Sequence, residues 1–317
     1  MRLELAKSQV LVSITVITRK DAMQYLMRHV VFALIFLSGT FAYGQNSNPD
    51  CPLVSKTAAI DGGVISYLEG GKGERILLLH GLFAQKEQWL EVGCALAIGG
   101  FEVIAPDLPG YGASTAYPVS VYPLEKQVKI LHQLVGSVGS GPIHIAGSSM
   151  GGAIASLYAD QYPKEIKSLA FIGAPLGIIG WSPKVKASIF QGINPFIPIS
   201  NDQLDLEMGL LFFKPPVIEE AVKAQLLKEY ANNNRHYQQV WDIVNFYDTS
   251  LDRQQSHPVR TLILWGKQDG IFDIVGLPLL KKKIPHAQSI EFADAAHLLM
   301  LEQPKKVFDV YSQFLRP

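Results

Sequence analysis

Gly147-Ser148-Ser149-Met150-Gly151 stands directly after the apolar, β-branched run 143–146 and directly before a helical stretch. A chain that leaves a strand, turns at a single residue and enters a helix brings the two backbones close together on either side of the turn. Only small residues fit there, and glycine two residues before and two after the apex is what that geometry demands. The turn lifts the Ser149 hydroxyl clear of its neighbours. It also aims the Met150 N–H at the place where a negatively charged oxygen would form on an attacked carbonyl. Ser148 is the competing serine, but Ala146 occupies the position where its glycine should be. It is read as a loop hydroxyl.

The rest of the chain supplies the sheet that such a turn requires. Short apolar runs recur at 63–68, 75–79, 101–105, 143–146, 166–172, 259–265 and 288–292, with helical stretches such as 123–138 and 152–160 between them. Strands apolar along their whole length, alternating with helices, indicate an α/β fold with a mostly parallel central sheet covered on both faces. The alternation stops between residues 176 and 251. That segment carries Pro183, Pro195, Pro198, Pro215 and Pro216 and a helical pattern over 217–246. It reads as a helical cap inserted over the C-terminal edge of the strands, where open sheets of this kind bind ligands. The expected division is a core over 57–175, the cap over 176–251 and the remainder of the core over 252–317.

A serine at its ordinary pKa is a poor nucleophile and needs a base within hydrogen-bond reach. His297 lies on the loop after the run 288–292, at the sheet edge that carries Ser149. His29 falls in the N-terminal segment, His144 within a strand, and His132, His236, His257 and His286 on helices or linkers. An acid must hold the imidazole in the right tautomer. The loop after residue 172, Gly173-Ala174-Pro175, has no carboxylate, whereas Gly266-Lys267-Gln268-Asp269 follows the run 259–265. Asp269 is the expected acid. Asp273 is the alternative, and Asp294 sits too close to His297 in sequence to orient it. His80-Gly81-Leu82-Phe83 ends an early strand and can supply the second oxyanion donor, from the Leu82 N–H first and the Phe83 N–H second. His80 itself is expected to shape the turn. Asp107-Leu108-Pro109-Gly110-Tyr111-Gly112 reads as a Pro/Gly turn whose aspartate bonds nearby backbone.

Ahead of this core, Met27-Arg28-His29 precedes an apolar run over 30–43, then Ala42-Tyr43-Gly44 and the polar stretch 45–50. A basic start, a short apolar core and a small-x-small site match a secretory signal peptide cut near Gly44. The expectation is a secreted or periplasmic protein. An uncleaved segment acting as a membrane anchor is the alternative, and a start at Met27 rather than Met1 would account for residues 1–26. Lys plus Arg and Asp plus Glu both number 28. With no basic surplus, nucleic acid is not an expected partner. Cys51 and Cys94 have no metal-ligand spacing and could pair in an oxidising compartment; one buried thiol and one loop thiol is an equally good reading. No metal or cofactor is expected: Gly136, Gly139 and Gly141 precede a strand, the wrong order for a dinucleotide site.

Over roughly residues 57–315 the chain resembles the α/β-hydrolase fold-1 family, nearest the monoacylglycerol lipase-like and bacterial lipase branch. The resemblance rests on His80-Gly81 followed by Trp89, the Asp107–Gly112 turn, Gly147-Ser148-Ser149-Met150-Gly151-Gly152, Trp265-Gly266-Lys267-Gln268-Asp269, and His297 with Glu302 and Pro304 behind it. Leu82 departs from the phenylalanine often found after His-Gly in that branch. Phe196-Ile197-Pro198-Ile199-Ser200 is similar to the Ile-Pro turn of its cap.

The resemblance implies a serine hydrolase for carboxylic esters with lipid-like acyl chains, with Ser149 as nucleophile, His297 as base and Asp269 as acid. The substrate is expected to be a small-molecule ester or lipid. Apolar residues of the cap, Ile178, Ile179, Trp181, Phe190, Phe196, Leu211, Phe212 and Phe213, are candidates for an acyl tunnel, and Phe83 for the substrate pocket beside them. The cap is also a candidate for contact with a membrane surface. Competing readings are a small-ester esterase, a carbon–carbon bond hydrolase of ring-cleavage products, and a binding protein on the same scaffold. Export argues against the second and the filled Ser, His and Asp positions against the third. Epoxide hydrolases and haloalkane dehalogenases place Asp at the elbow, so they are disfavoured.

Overall fold

The computed structural model describes residues 50–247, 251 and 258–316. The N-terminal segment read as a signal peptide and His257 lie outside them. The strands are β1 (Val54–Ile60), β2 (Gly63–Gly71), β3 (Glu74–Leu79), β4 (Phe101–Pro106), β5 (Ile143–Ser149), β6 (Ile166–Pro175), β7 (Thr261–Gly266) and β8 (Gln288–Phe292). They form one sheet in the order β1-β2-β4-β3-β5-β6-β7-β8. β1 and β2, and β2 and β4, pair antiparallel; the other neighbours are parallel.

The pleat explains the uninterrupted apolar runs. In β3, Leu77 and Leu79 enter the core on one face while Ile76 and Leu78 enter the core on the other. In β7, Ile263 and Trp265 divide from Leu262 and Leu264 in the same way. Successive side chains point to opposite faces, so a strand covered on both sides must be apolar at every position. Helices Leu124–Val138 and Met150–Gln161 cover the first face and helices Leu90–Ile98 and Pro304–Leu315 the second.

β1 is a strand that the sequence reading lacked. Val54, Ser55 and Thr57 are exposed on the outer edge of the sheet, so the strand has little apolar pattern. Its signal was the turn: Asp61 and Gly62 have φ of 44° and 79°, the left-handed pair of a two-residue hairpin. Cys51, just before β1, is disulfide-bonded to Cys94 on helix Leu90–Ile98, with Cα atoms 5.1 Å apart. The reading of two separate thiols therefore does not hold.

Between β6 and β7 the described residues form helices Pro183–Phe190, Asn201–Leu211, Glu220–Asn232 and Asn234–Val244. The helical pattern read over 217–246 corresponds to the last two of these helices. The serines at the starts of the first two helices cap them: Ser182 Oγ accepts the Val185 N–H and Ser200 Oγ the Gln203 N–H. Among the described residues no helix is long and apolar enough to cross a membrane.

Candidate active site

Ser149 ends β5 and caps helix Met150–Gln161 with φ 54° and ψ −119°. A side chain at such an angle is strained, and the neighbouring glycines show what holds it there. A Cβ on Gly147 would lie 2.2 Å from the Gly151 carbonyl oxygen, and one on Gly151 would lie 2.3 Å from the Leu79 carbonyl oxygen. Strand, helix and β3 are packed backbone to backbone around the apex. Met150 is the first helical residue, so its N–H is among those a helix leaves without an intrahelical acceptor. Ser148 is fully buried, and its hydroxyl has no hydrogen-bond partner among the described residues.

His297 Nδ1 lies 2.9 Å from Asp269 Oδ2. The carboxylate is fixed from its other side, where Oδ1 accepts the Ile271 N–H at 2.8 Å and the Phe272 N–H at 3.0 Å. An ionised carboxylate only accepts, so the imidazole carries its proton on Nδ1 and presents the Nε2 lone pair. Phe272 packs against the imidazole at a centroid distance of 5.8 Å. Asp273, the alternative acid, spends its carboxylate on the Val275 N–H. Ser149 and His297 line one cavity. In sites of this kind the contact between nucleophile and base commonly tightens only with substrate bound.

Gly81, Leu82 and Phe83 line the same cavity. The turn that carries them is held at two points. The Gly81 N–H donates to Gln88 Oε1 at 3.1 Å. The fully buried His80 ring takes the Leu108 N–H on Nε2 at 3.0 Å and lies 2.8 Å from the Gly81 carbonyl through Nδ1. Burial pushes the His80 pKa down to about 4, against the smaller opposing pull of Asp107. It is a neutral structural ring. Asp107 does bond nearby backbone, accepting the Ala113 N–H, but it also forms a buried ion pair with Lys86 at 2.9 Å. That partner lies in the loop after β3 and was not visible as a pattern.

Of the expected substrate-binding residues, Phe83, Trp181 and Phe212 line the cavity, whereas Ile179 and Phe213 do not. The Ile179 side chain fills the space beside Gly276, against Trp265. Phe213 is 37% exposed, with its backbone N–H held by Glu302. Of the wider tunnel set, Phe196 and Leu211 reach the cavity, Ile178 is buried elsewhere and Phe190 is 87% exposed. Sequence reasoning missed Glu207, Met208 and Leu301, which also line it. Glu207 had a signal: it sits at the apolar spacing Leu204, Glu207, Met208, Leu211 on one helix.

The cap is bonded to the loops that carry both His297 and Asp269. The Leu211 carbonyl accepts the His297 and Leu298 amides, and the Leu210 carbonyl accepts the Gly270 amide. Glu302 accepts the Phe213 and Lys214 amides on one oxygen and the Ala296 amide on the other. Ser182 Oγ donates to the Gly270 carbonyl.

A family model described as alpha/beta hydrolase fold matches residues 74–245 and 213–304. Lipase 1 of Psychrobacter immobilis is 31% identical over 276 residues, covering 85% of this chain and 86% of that protein. Monoacylglycerol lipase ABHD6 of Homo sapiens is 26% identical over 258 residues, 77% of this chain and 76% of its own. Among solved structures, a putative lipase (lip1) of Acinetobacter baumannii is similar with a TM-score of 0.73 and 30% identity, covering 86% of this chain and 93% of that one.

Proposed function

This chain belongs to the alpha/beta hydrolase family, and we propose that it is a carboxylic ester hydrolase of the lipase and monoacylglycerol lipase kind, acting through Ser149, His297 and Asp269. The observation that carries the reading is the His297–Asp269 hydrogen bond in the cavity that Ser149 lines.

In the proposed reaction Ser149 Oγ attacks the ester carbonyl carbon while His297 Nε2 takes the hydroxyl proton. The carbonyl oxygen becomes an oxyanion, held by the Leu82 and Met150 N–H groups. Asp269 stabilises the imidazolium without taking its proton. The tetrahedral intermediate then expels the alcohol oxygen, which leaves with the proton from His297. A water molecule gives a proton to the same nitrogen and attacks the acyl-enzyme. The second intermediate collapses to release the carboxylic acid and return the proton to Ser149. Nothing in this sequence calls on a metal or cofactor.

The apolar side chains of Trp181, Phe196, Met208, Leu211 and Phe212 around the cavity support an acyl chain as the bound group. Each buried methylene adds ~0.8 kcal/mol. Contact of the cap with a lipid surface is part of the same proposal; the cap carries exposed apolar side chains at Phe190, Ile199, Val217 and Phe246. The Cys51–Cys94 disulfide supports work in an oxidising compartment, in keeping with export after cleavage near Gly44.

The test is kcat/KM for the chain from residue 45 onward across esters and monoacylglycerols of rising acyl length, with Ser149→Ala alongside. The reading predicts activity that climbs into medium or long chains and vanishes in the variant. Activity on the shortest esters alone would make it a small-ester hydrolase, and no activity on any ester would overturn the assignment.

A further inference from the structure

The proposed mechanism leaves one buried ionisable group in the cavity wall unused. Glu207, on helix Asn201–Leu211, is 3% exposed and lines the cavity on the cap side, among apolar neighbours such as Met208, Leu211 and Phe212. The Tyr230 hydroxyl, from helix Glu220–Asn232, lies 3.2 and 3.4 Å from its two carboxyl oxygens. Among the described residues neither group has another hydrogen-bond partner. Burial pushes the Glu207 carboxyl up to about 8 and the Tyr230 phenol well above its usual range. At neutral pH the pair is therefore mostly a carboxylic acid beside a phenol.

Two such groups carry two O–H protons, and one mutual hydrogen bond uses only one of them. The second proton and the remaining carboxyl lone pairs are free to meet a group in the cavity. A buried donor without an acceptor is costly, and so is a carboxyl kept at an apolar position of a helix. Besides Ser149 and His297, the other polar side chains of the wall are Ser148, at the end of β5 beside the nucleophile, and Gln85, Glu87 and Gln88, which follow β3. Gln88 is taken up by the Gly81 amide and the Met300 sulfur; Glu87 pairs with Lys86 through Oε1, and its Oε2 has no partner among the described residues.

We infer that the Glu207 carboxyl, backed by Tyr230, is a specificity-determining group that hydrogen-bonds a free hydroxyl of the substrate, so that hydroxyl-bearing esters are preferred over plain alkyl esters of the same length. The inference rests on the ester-hydrolase reading of the Ser149 cavity. The hydroxyl can belong to the alcohol part or to the acyl part, and the same chemistry serves both.

The experiment compares kcat/KM for methyl dodecanoate, glyceryl monododecanoate and methyl ω-hydroxydodecanoate in the wild type, Glu207→Gln and Glu207→Met. The wild type is expected to prefer at least one hydroxylated ester by about tenfold. The glyceryl ester reports the alcohol side and the ω-hydroxy ester the acyl side. Glu207→Gln, which keeps a donor and an acceptor, retains most of the preference, and Glu207→Met brings the ratio to about one. Glu207→Asp draws the acid back by a methylene and lowers the ratio in the same sense, which serves if the methionine variant does not fold. Equal rates for the three esters in the wild type overturn the inference. A preference that survives in the methionine or aspartate variant also overturns it, and places the contact on Gln85 or Glu87. No turnover of any of the three by the wild type is a different failure: it overturns the ester-hydrolase reading, and the inference with it.

Discussion

The carbonyl of Leu211, in the last turn of a cap helix, accepts the backbone N–H of His297 at 3.1 Å. The proposed base is therefore held by the cap as well as by the core loop that carries it. Glu302 reinforces the joint by accepting amides from Phe213, Lys214 and Ala296. In Glu302→Ala these three donors lose their acceptor, at a cost of about 1–3 kcal/mol for each one left buried. We expect lower thermal stability and a fall in kcat of roughly tenfold, because a small displacement of a base is costly to rate. Glu302→Gln, which keeps one acceptor oxygen, recovers part of both. Thermal denaturation and steady-state kinetics on the two variants check this.

Asp269→Asn keeps the shape of the carboxylate but can present an N–H to His297 Nδ1, which favours the wrong tautomer. We expect kcat to fall by about 10⁴ with KM little changed. A rise in KM alone, with kcat intact, would show that Asp269 does not orient the base.

His80 makes a contribution of definite sign to the pH dependence of stability. Its pKa is pushed down to about 4 in the folded chain from an ordinary value of 6.5. The unfolded chain therefore takes up a proton as pH falls below about 6.5, while the folded ring stays neutral. The His80 contribution to stability is full above that pH and is lost progressively down to about 4, by roughly 3 kcal/mol in all. Glu207, raised to about 8, pulls the wild-type curve the other way over much of this range, so the slope is read as the difference in unfolding free energy between the wild type and His80→Gln in urea from pH 7 to 4.

The Cys51–Cys94 bond closes a loop across a sequence separation of 43. Chain entropy alone gives such a cross-link about 4 kcal/mol. Cys51→Ser with Cys94→Ser should lower the unfolding free energy by an amount of this order. Neither cysteine lines the cavity, so kcat/KM at a temperature where the variant is folded should be unchanged.

Much of this architecture was legible because strands buried on both faces leave continuous apolar runs. β3 and β7 are of this kind, and their last residues led directly to His80-Gly81 and to Asp269. β1 was not legible, because an exposed edge strand carries no such run. The elbow was legible because Gly147 and Gly151 are required by backbone contact, which leaves a mark in the sequence. The cap was harder: its residues face the core, the cavity or solvent according to the path of the irregular segments that flank its helices, which leaves no periodic pattern. Trp181 and Phe212 reach the cavity while Ile179 and Phe213 do not, although all four are equally apolar. The ties from the Leu210 and Leu211 carbonyls are backbone contacts with no residue signature at all.

Every step proposed for this cavity depends on Ser149 being the nucleophile, activated by His297. Reacting the folded chain with a fluorophosphonate, which bonds covalently to an activated serine hydroxyl, and locating the adduct by peptide mass spectrometry tests it most directly. One phosphonyl group is expected on Ser149, formed at a rate that collapses in His297→Ala and absent in Ser149→Ala. An adduct on Ser148, or labelling of Ser149 at the same rate without His297, would contradict it.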